Sequence, residues 1–541
     1  MQFNKYNGFI NIYKESGWTS MDVCAKLRGI LGMRKIGHAG TLDPMAEGVL
    51  PVALGKGTKD VDRIGDGTKT YIAGMLIGTV TDTQDITGTI ISKNDDLRPS
   101  DEEIIKACNS FIGEYEQLTP MYSARKVNGK KLYEYARAGK EVERKRKKIE
   151  ILDLTVDSVE YPHVKMTVKC TKGTYIRTLC NDIGEKLGTG ACMESLLRTQ
   201  VGDFKLENAV KLDEVEKFRN QNRVNELISV KAPTAVAIGK FDGNHIGHKL
   251  IIKELVKTAQ ENKYKALVIL FDMNKSFITG REEQKAELYS HGVDYVIELP
   301  FSEEIRTMSA KDFLEKILIE KLNMKVMVAG SDVSFGFNKQ GNAEFLFNNA
   351  RRLSYSLKII EKINIKTDNG EEQAISSTML RELISDGNME QTENLLGHPY
   401  CISGYVEHGR GMGHSILGYP TMNIDVDSSR IIPPYGVYAV KVHFLDEKTD
   451  RRKASYKGIA NLGVKPTVNT EESAKKINLE SFVFEYEGNA YGRKIEVELL
   501  KFIRKERKFD SLEEIKIQLR DIDIPKVQKF FDDSLKCNEN A

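Results

Sequence analysis

A strand, a glycine-rich turn and a helix carrying two histidines follow one another at residues 235–252, and this order strongly limits how the chain can fold. Residues 235–238 are apolar and predict a buried strand. The turn 239–243 leads to His245 and His248, whose spacing of three places both rings on one side of a helix. Helix N termini favour anions. The segment, opened by Gly239, therefore predicts a nucleotide-phosphate site in an α/β domain.

The length and charge of the chain set broad limits. Its 541 residues exceed what one hydrophobic core normally serves, so we expect about three or four domains. The 80 basic and 78 acidic residues nearly cancel and indicate no class of partner. Residues 125–148 differ, with eleven Lys or Arg against three Glu. Such a run is usually a solvated face, but tyrosines in or beside it suit RNA. They are Tyr122, Tyr133 and Tyr135.

The cysteines and apolar runs predict the compartment. Seven cysteines include no C-x-x-C pair, so neither a zinc site nor a disulfide framework is indicated. The first residues lack the charged and apolar layout of a signal peptide. No run approaches the roughly 18 apolar residues that a membrane span needs. We therefore expect a reduced, soluble, cytoplasmic protein with no membrane partner.

The chain changes its pattern twice, which predicts three domains. Strands and helices mix over residues 1–225. Over residues 233–396 they alternate regularly, as in a parallel α/β sheet. Residues 397–541 show short alternating strands and then a helical tail. No low-complexity tract or solenoid repeat interrupts this order.

Four segments of the first domain carry its chemical groups. Residues 37–44 combine His38, two glycines and Asp43, which is also a common turn composition. The others are residues 69–74, 172–177 and 197–204. In this order they closely resemble the bacterial tRNA pseudouridine synthase B family, over residues 8–212. That resemblance implies an α/β pseudouridine synthase fold and isomerisation of the uridine at position 55, in the TψC loop of tRNA.

The resemblance also implies residue roles. Asp43 is the catalytic carboxylate, His38 helps to hold the flipped-out loop, Tyr71 stacks on the target base and Arg177 pairs with Asp43. The chemistry agrees, because a base must leave its stack to reach one positioned carboxylate, and an arginine would keep that carboxylate ionised. No cofactor is required. The family's usual C-terminal RNA-binding domain is expected to be missing, and residues 125–148 are expected to compensate.

The second domain contains a His-x-Gly-His element. Two classes of enzyme carry such an element, class I aminoacyl-tRNA synthetases and smaller nucleotidyltransferases. A synthetase would need a larger catalytic domain and a lysine-rich KMSKS-type loop, and neither is found. Residues 335–342 and 375–381 instead complete a resemblance to the FMN adenylyltransferase of bacterial riboflavin kinase/FAD synthetases, a Rossmann-like α/β domain. The family's acidic-Pro-His-Pro segment is altered here, at residues 271–275.

This second resemblance implies a set of nucleotide-binding residues. His245 and His248 would bind ATP phosphates and stabilise the transition state, and Asn342 would position substrate. Phosphates would also be held from a second side, although Ser-Ser-Thr before an apolar helix is more often a plain N-cap. The residues of this second side are Ser376, Ser377, Thr378 and Arg381.

The third domain has no P-loop, so a P-loop kinase is excluded. The glycine-rich residues 409–413 do not complete a dinucleotide fingerprint. Thr421 and Asn423, two apart on an extended segment, face the same side and offer oxygen ligands to Mg²⁺. With residues 458–467 and 479–482 they closely resemble the flavokinase module, a small β-barrel followed here by a C-terminal helix. Thr421 and Asn423 would then bind Mg-ATP, Gly411 would lie over phosphate and Glu480 would be the base.

The sequence thus predicts a multifunctional enzyme acting on tRNA, riboflavin, FMN and ATP, with Mg²⁺ for the flavin reactions. It would isomerise uridine, phosphorylate riboflavin to FMN and adenylylate FMN to FAD. Two alternatives stay open. The first domain could only bind RNA, or the adenylyltransferase could be degenerate so that synthesis stops at FMN. Which protein partners the chain has, if any, is unknown from the sequence.

Overall fold

The structure, a computed structural model, describes residues 4–539 apart from 66, 95, 124, 128, 141, 273–275, 367–371, 409–420, 447–450 and 465–475. The chain divides into two units, at Asn4–Ala232 and Pro233–Ala541. Within the described residues, no helix is both long and apolar enough to cross a membrane.

The first unit is built on a mixed sheet. Its strands are β1 (Gly8–Lys14), β2 (Ile36–His38), β3 (Glu47–Leu54), β4 (Lys69–Ile77), β5 (Thr79–Thr81), β6 (Ile90–Lys93), β7 (Gly113–Leu118), β8 (Lys126–Val127), β9 (Lys130–Lys131), β10 (Arg146–Glu160), β11 (His163–Cys170), β12 (Ala191–Val201) and β13 (Phe204–Lys205). Its helices are α1 (Ser20–Leu31), α2 (Val61–Gly65), α3 (Asp101–Asn109), α4 (Leu132–Arg137), α5 (Ile176–Leu187) and α6 (Leu212–Asn220).

The sheet brings distant motifs of the first unit together. Its order is β1-β3-β12-β4-β11-β10-β7, with β3 and β12 parallel and the other neighbours antiparallel. Burial alternates along β4, because successive strand residues point to opposite faces. One core contains side chains of this sheet and of α3 and α5. The motifs on β4, β12 and α5 therefore lie within one packed region.

The second unit begins with alternating strands and helices and continues with strands alone. Its strands are β14 (Thr234–Gly239), β15 (Lys265–Asp272), β16 (Tyr295–Pro300), β17 (Met324–Gly330), β18 (Ser356–Ile360), β19 (Asn364–Lys366), β20 (Glu372–Ala374), β21 (Tyr400–Tyr405), β22 (Thr421–Val426), β23 (Gly436–Leu445), β24 (Arg452–Val464), β25 (Ile477–Val483) and β26 (Lys494–Lys505). Its helices are α7 (Ile246–Asn262), α8 (Arg281–Ser290), α9 (Glu303–Thr307), α10 (Ala310–Asp312, continued by a π-helix at Phe313–Lys321), α11 (Ala343–Ala350), α12 (Ser377–Asp386), α13 (Met389–Leu396), α14 (Leu512–Ile517, continued by a π-helix at Gln518–Asp523) and α15 (Ile524–Glu539).

A parallel sheet forms the first part of this unit, in the order β16-β15-β14-β17-β18. The central strand β14 is buried along nearly its whole length, as expected for a parallel strand covered on both faces. Its carboxyl end leads into the turn before α7, where α/β sheets bind ligands. The predicted Rossmann-like domain is confirmed.

An antiparallel sheet forms the rest, in the order β21-β26-β23-β24-β25-β22. An isolated bridge between Glu407 and Asn423 brings the two ends of this order together, so the sheet curls towards a barrel. Val527 and Phe531 of α15 share a core with Val437 and Ile459 of the sheet. The predicted small β-barrel with a C-terminal helix is confirmed.

The parallel-sheet part and the barrel share one hydrophobic core. Buried side chains from before residue 397 lie in it beside those of the barrel strands. The former are Ile278, Ile375, Leu380, Ile384, Met389, Leu395 and Leu396. Residues 233–541 therefore pack together, although the change of sequence pattern divides them at 397. The limits 1–225, 233–396 and 397–541 stay predictions.

Candidate active sites

The turn between β2 and β3 presents Asp43 to the first turn of α5. The main-chain N–H of Ala46 donates to the Asp43 carbonyl at 3.1 Å and closes the turn. Arg177 Nη2 lies 3.1 Å from Asp43 Oδ1 and donates to the Tyr122 carbonyl at 2.7 Å. Its Nη1 lies 3.6 Å from Asp85 Oδ2. The structure thus brings the predicted pair Asp43 and Arg177 together and adds a second carboxylate.

Two opposing effects act on the Asp43 carboxyl. Burial raises its pKa, and the Arg177 guanidinium opposes that shift by stabilising the charged form. The Asp85 charge raises the same pKa, whereas Lys14 and Arg198 lower it. The cations around Asp43 therefore decide whether it is ionised.

Buried cations that the sequence reasoning missed hold the Asp43 turn. Lys14 Nζ donates to the carbonyls of Ala46 at 2.6 Å and Pro44 at 3.1 Å, and burial lowers its pKa to about 8. Arg198, fully buried, donates to the carbonyls of Gly40 and Thr41. The sequence could have indicated Lys14, because this lysine ends an otherwise apolar strand. Asp85 carried no such signal.

His38 and Tyr71 lie beside this turn. Tyr71 on β4 faces Arg198 across the sheet, and burial raises its pKa to about 12. The His38 Nδ1 atom is buried with no hydrogen-bond partner among the described residues, and burial lowers the pKa of the ring. An unpartnered nitrogen in such a site is available to a ligand. The sequence-predicted residues of the first site therefore surround one turn.

The basic stretch borders the same region. Arg146 donates to the Glu116 carbonyl of β7, and Lys148 lies 2.6 Å from Glu114. Partial burial lowers the pKa of Lys147, and the nearby cations Arg125 and Lys172 lower it further. Cations therefore crowd this edge of the sheet. The side chain of Tyr133 lies outside the described residues.

The second site forms where β14 ends at Gly239. His245 caps α7, with Nδ1 accepting from the His248 main-chain N–H at 3.4 Å, and the two rings stack with centroids 3.7 Å apart. Burial lowers the pKa of His245 to about 4 and that of His248 well below its ordinary value. Both rings are neutral at pH 7 in the free protein. A bound phosphate would raise both pKa values.

Asp242 links the histidine turn to residues 376–381, which are expected to hold phosphates from the other side. Arg381 pairs with the Asp242 carboxylate, and Ser377 Oγ donates to the Asp242 carbonyl at 3.2 Å. Ser376 caps α12 by accepting from Met379, and Thr378 follows in the first turn. Arg381 and Ser377 thus meet the histidine turn through Asp242.

Three further polar side chains of the parallel-sheet part differ in their hydrogen bonding. Asn342 caps α11, accepting from the Phe345 N–H at 2.8 Å. Gln284, which the sequence reasoning missed, donates to the carbonyls of Lys240 and Phe241. Asn244 is buried, and neither polar side-chain atom has a hydrogen-bond partner among the described residues. Of the altered segment 271–275, residues 273–275 lie outside the described residues.

The third site lies on β22 and β25. Thr421 Oγ1 donates to Glu480 Oε1 at 2.8 Å, and Asn423 is the cross-strand partner of Glu480. Asn423 Oδ1 accepts from Asn478 at 2.9 Å. A hydroxyl, an amide oxygen and a carboxylate thus converge, and such oxygen donors fit Mg²⁺. Gly411 lies outside the described residues.

Two cavities meet at Thr421. One, of about 330 Å³, is lined by Glu480 and by apolar side chains that include Ile459, Phe482 and Phe509. The other, of about 220 Å³, is lined by Tyr486 and Tyr491 among others. The lining of the larger cavity also contains charged side chains, among them Arg504, Glu506 and Arg507, and cavities that combine apolar and polar groups are typical of small-molecule sites. Thr421 therefore lines both cavities.

The sequence reasoning also missed an ion pair beside the larger cavity. Arg504, which lines that cavity, pairs with the fully buried Asp523, with Nη2 2.8 Å from Oδ2. Gln518 donates to the same carboxylate at 2.9 Å. This network fixes the segment between α14 and α15 against the barrel.

Four family models match successive parts of the chain. Their descriptions are TruB family pseudouridylate synthase (N terminal domain) at residues 28–176, tRNA pseudouridylate synthase B C-terminal domain at 177–233, FAD synthetase at 227–379 and riboflavin kinase at 396–531. The order of the synthase, FAD synthetase and riboflavin kinase matches agrees with that predicted from the motifs. The match at 177–233 counts against the expectation that the family's C-terminal domain is missing.

Curated relatives match the N-terminal part. The tRNA pseudouridine synthase B of Clostridium tetani is 45% identical over 236 residues, 44% of this chain and 79% of the relative. That of Clostridium novyi is 42% identical over 279 residues, 52% of this chain and 93% of the relative. That of Alkaliphilus oremlandii is 47% identical over 214 residues, 40% of this chain and 71% of the relative.

Proposed function

The chain belongs to the tRNA pseudouridine synthase B family, and we propose that Asp43 attacks or deprotonates the uridine at position 55, in the TψC loop of tRNA. The contact of 3.1 Å between Arg177 and Asp43 carries this proposal. Arg177 opposes the raised pKa of the partly exposed Asp43 carboxyl and so favours its ionised form, and Tyr71 stacks on the target base. His38 holds the flipped-out loop, and the crowded cations of residues 125–148 contact phosphates.

The chain also carries FAD synthetase and riboflavin kinase domains, and therefore phosphorylates riboflavin and adenylylates FMN, each with ATP. We propose that His245 and His248 receive ATP phosphates in the adenylyltransferase. Neutral, buried rings at a helix N terminus gain a favourable partner when an anion arrives. Ser376, Ser377, Thr378 and Arg381 border the same phosphates, and Asn342 positions substrate. Adenylyl transfer then depends mainly on positioning and charge stabilisation.

In the kinase, we propose that Glu480 accepts the proton of the ribityl hydroxyl. Glu480 lines the larger cavity, whose apolar side chains suit a flat flavin ring. Thr421 and Asn423 hold Mg-ATP. Bound Mg²⁺ would neutralise phosphate charge.

We further propose that the chain works in the cytoplasm. The six cysteines whose side chains the structure describes are free thiols, five of them buried. Unpaired thiols are typical of reducing compartments. Fractionation of cells with an antibody against the chain tests this location.

One assay tests all three activities. Purified protein receives riboflavin, Mg-ATP and unmodified tRNA, and FMN, FAD and pseudouridine are measured together. Asp43→Asn should abolish pseudouridine and leave both flavin products. Glu480→Gln should lower FMN formation by about 10²–10⁴-fold, as loss of a general base does, and leave adenylylation of supplied FMN.

Each variant is the folding control for the other. Unchanged pseudouridine formation by Asp43→Asn would remove Asp43 from catalysis, and none from the wild type would favour a domain that only binds RNA. FMN without FAD from the wild type would favour a degenerate adenylyltransferase. Retained kinase activity would exclude Glu480 as the base.

A further inference from the structure

A loop of the barrel pairs with the segment that follows β15. The Phe277 N–H donates to the Ser429 carbonyl at 2.8 Å, and the Phe277 carbonyl accepts from the Ile431 N–H at 2.7 Å. Phe277 and Arg430 thereby form a short parallel bridge. The segment 276–280, which belongs to the parallel-sheet part, is therefore held by main chain of the barrel part.

Arg430 reinforces this bridge with its side chain. It is 7% exposed, and its Nη1 lies 2.9 Å from Glu283 Oε2. Its Nη2 donates to the carbonyls of Ile278 at 3.3 Å and Cys401 at 2.5 Å. The Glu283 carboxylate also accepts from the Gly280 N–H at 3.2 Å. One buried guanidinium therefore ties the segment and the start of α8 to the barrel.

The opposite side of the same segment contacts the histidine turn. The Ile278 N–H donates to Asp242 Oδ1 at 2.9 Å, and Arg381 Nη2 donates to the Ser276 carbonyl at 3.3 Å. Arg381 pairs with Asp242 as well. Asp242 stands in the turn three residues before His245. The segment is thus placed between the Arg430 guanidinium and the groups proposed to receive ATP.

We propose that Arg430, a residue of the kinase part, is a positioning residue for adenylyl transfer. It fixes Ile278, and through the Ile278 N–H it fixes Asp242 and the turn that carries both histidines. The proposal rests on the adenylyltransferase function assigned above. A guanidinium is suited to this role, because its planar fork can serve several acceptors at once. None of these contacts involves Thr421, Asn423 or Glu480.

The variant Arg430→Met tests this role in the full-length protein with FMN supplied. We expect kcat for FAD formation to fall by about 10- to 100-fold, because small misplacements of catalytic groups cause losses of this size. The rate of riboflavin phosphorylation should stay within about twofold of the wild-type rate. Arg430→Lys, which keeps the charge without the fork, should lose less. Hydrogen exchange should become faster in residues 239–248 of Arg430→Met.

Lys501→Met is the matched control. Lys501 Nζ lies 3.2 Å from Glu390 Oε1, so this pair also joins a barrel strand to a helix before residue 397. It does not involve the segment 276–280. We expect Lys501→Met to keep both flavin activities and the exchange rates of residues 239–248.

Three results would overturn the proposal. The first is that Arg430→Met forms FAD at the wild-type rate. The second is that it loses FAD and FMN formation equally and melts at a lower temperature. The third is that its hydrogen exchange in residues 239–248 is unchanged. A wild-type protein that makes no FAD would instead contradict the adenylyltransferase function. The exchange comparison of Arg430→Met with Lys501→Met would then decide by itself whether Arg430 holds the turn.

Discussion

The reactivity of Asp43 depends on a balance at the scale of single residues. Burial raises the pKa of this carboxyl, and the Arg177 cation is the largest opposing influence. A shift of one pKa unit corresponds to about 1.4 kcal/mol between the two protonation states. The ionised form is the one that can attack the nucleoside. In the proposed mechanism, Arg177 thus contributes to catalysis by favouring that form.

Replacing Arg177 by Met should therefore move the acidic limb of the pH profile. Without the cation the Asp43 pKa rises, so pseudouridine formation should fall at a higher pH than in the wild type. Arg177→Lys keeps a charge and should shift the limb less. The measurement is kcat/KM for tRNA from about pH 5 to 9, a range that brackets a raised carboxyl pKa.

Folding of these variants can be followed separately. Trp18 is the single tryptophan of the chain and belongs to the first unit, so its fluorescence reports that unit. An acidic limb at the same pH in Arg177→Met and the wild type, with intact fluorescence, would contradict the role given to Arg177.

At the scale of elements, the pKa of His245 links the proposed phosphate site at the start of α7 to the stability of the fold. The folded-state pKa of His245 is about 4, against 6.5 for an unperturbed ring. Between these values the unfolded chain binds a proton that the folded chain does not. The free energy of unfolding should therefore fall as the pH drops from 6.5 to 4, by about 3 kcal/mol for this ring.

His245→Asn should reduce this loss of stability. The measurement is urea-dependent hydrogen exchange of residues 234–262 at several pH values, corrected for intrinsic exchange rates. His291→Gln is the control, since His291 is exposed and bonds the Glu287 carbonyl of its own helix. An equally steep loss in His245→Asn and the wild type would contradict the low pKa of His245.

At the scale of the whole molecule, the packing divides the chain at residue 232 and not at residue 396. The core around the barrel includes Leu380, Ile384 and Leu396, which precede the barrel. Burying one such side chain contributes about 1.5–3 kcal/mol. Separating these residues from the barrel would expose apolar surface on both parts.

We therefore expect two cuts to differ in their effect. Fragments 1–232 and 233–541 should each melt cooperatively and keep their activities. Fragments 233–396 and 397–541 should melt at least about 10 °C lower than 233–541, or aggregate, because several kcal/mol of burial is lost. Calorimetry and the activity assays measure this. Equal melting of 397–541 and 233–541 would contradict a shared core.

Local sequence by itself determined the three kinds of domain and most of the proposed site residues. Strands, turns and helix starts depend on neighbouring residues. The sequence therefore predicted the strand, turn and helix at residues 235–252, the Asp43 turn and the alternation at Thr421 and Asn423. Spacing along one helix or strand also predicted which side chains share a face, as His245 and His248 do.

Only the tertiary structure decided what surrounds those residues. Arg198 reaches Gly40 over 158 residues and Arg430 reaches Glu283 over 147, and neither contact was expected, whereas the pairing of Arg177 with Asp43 was expected from the family resemblance. The burial that shifts the pKa values of Asp43 and His245 likewise comes from distant segments. Contacts of this range follow from how the sheets and helices pack, and neither spacing nor composition of a short segment encodes them.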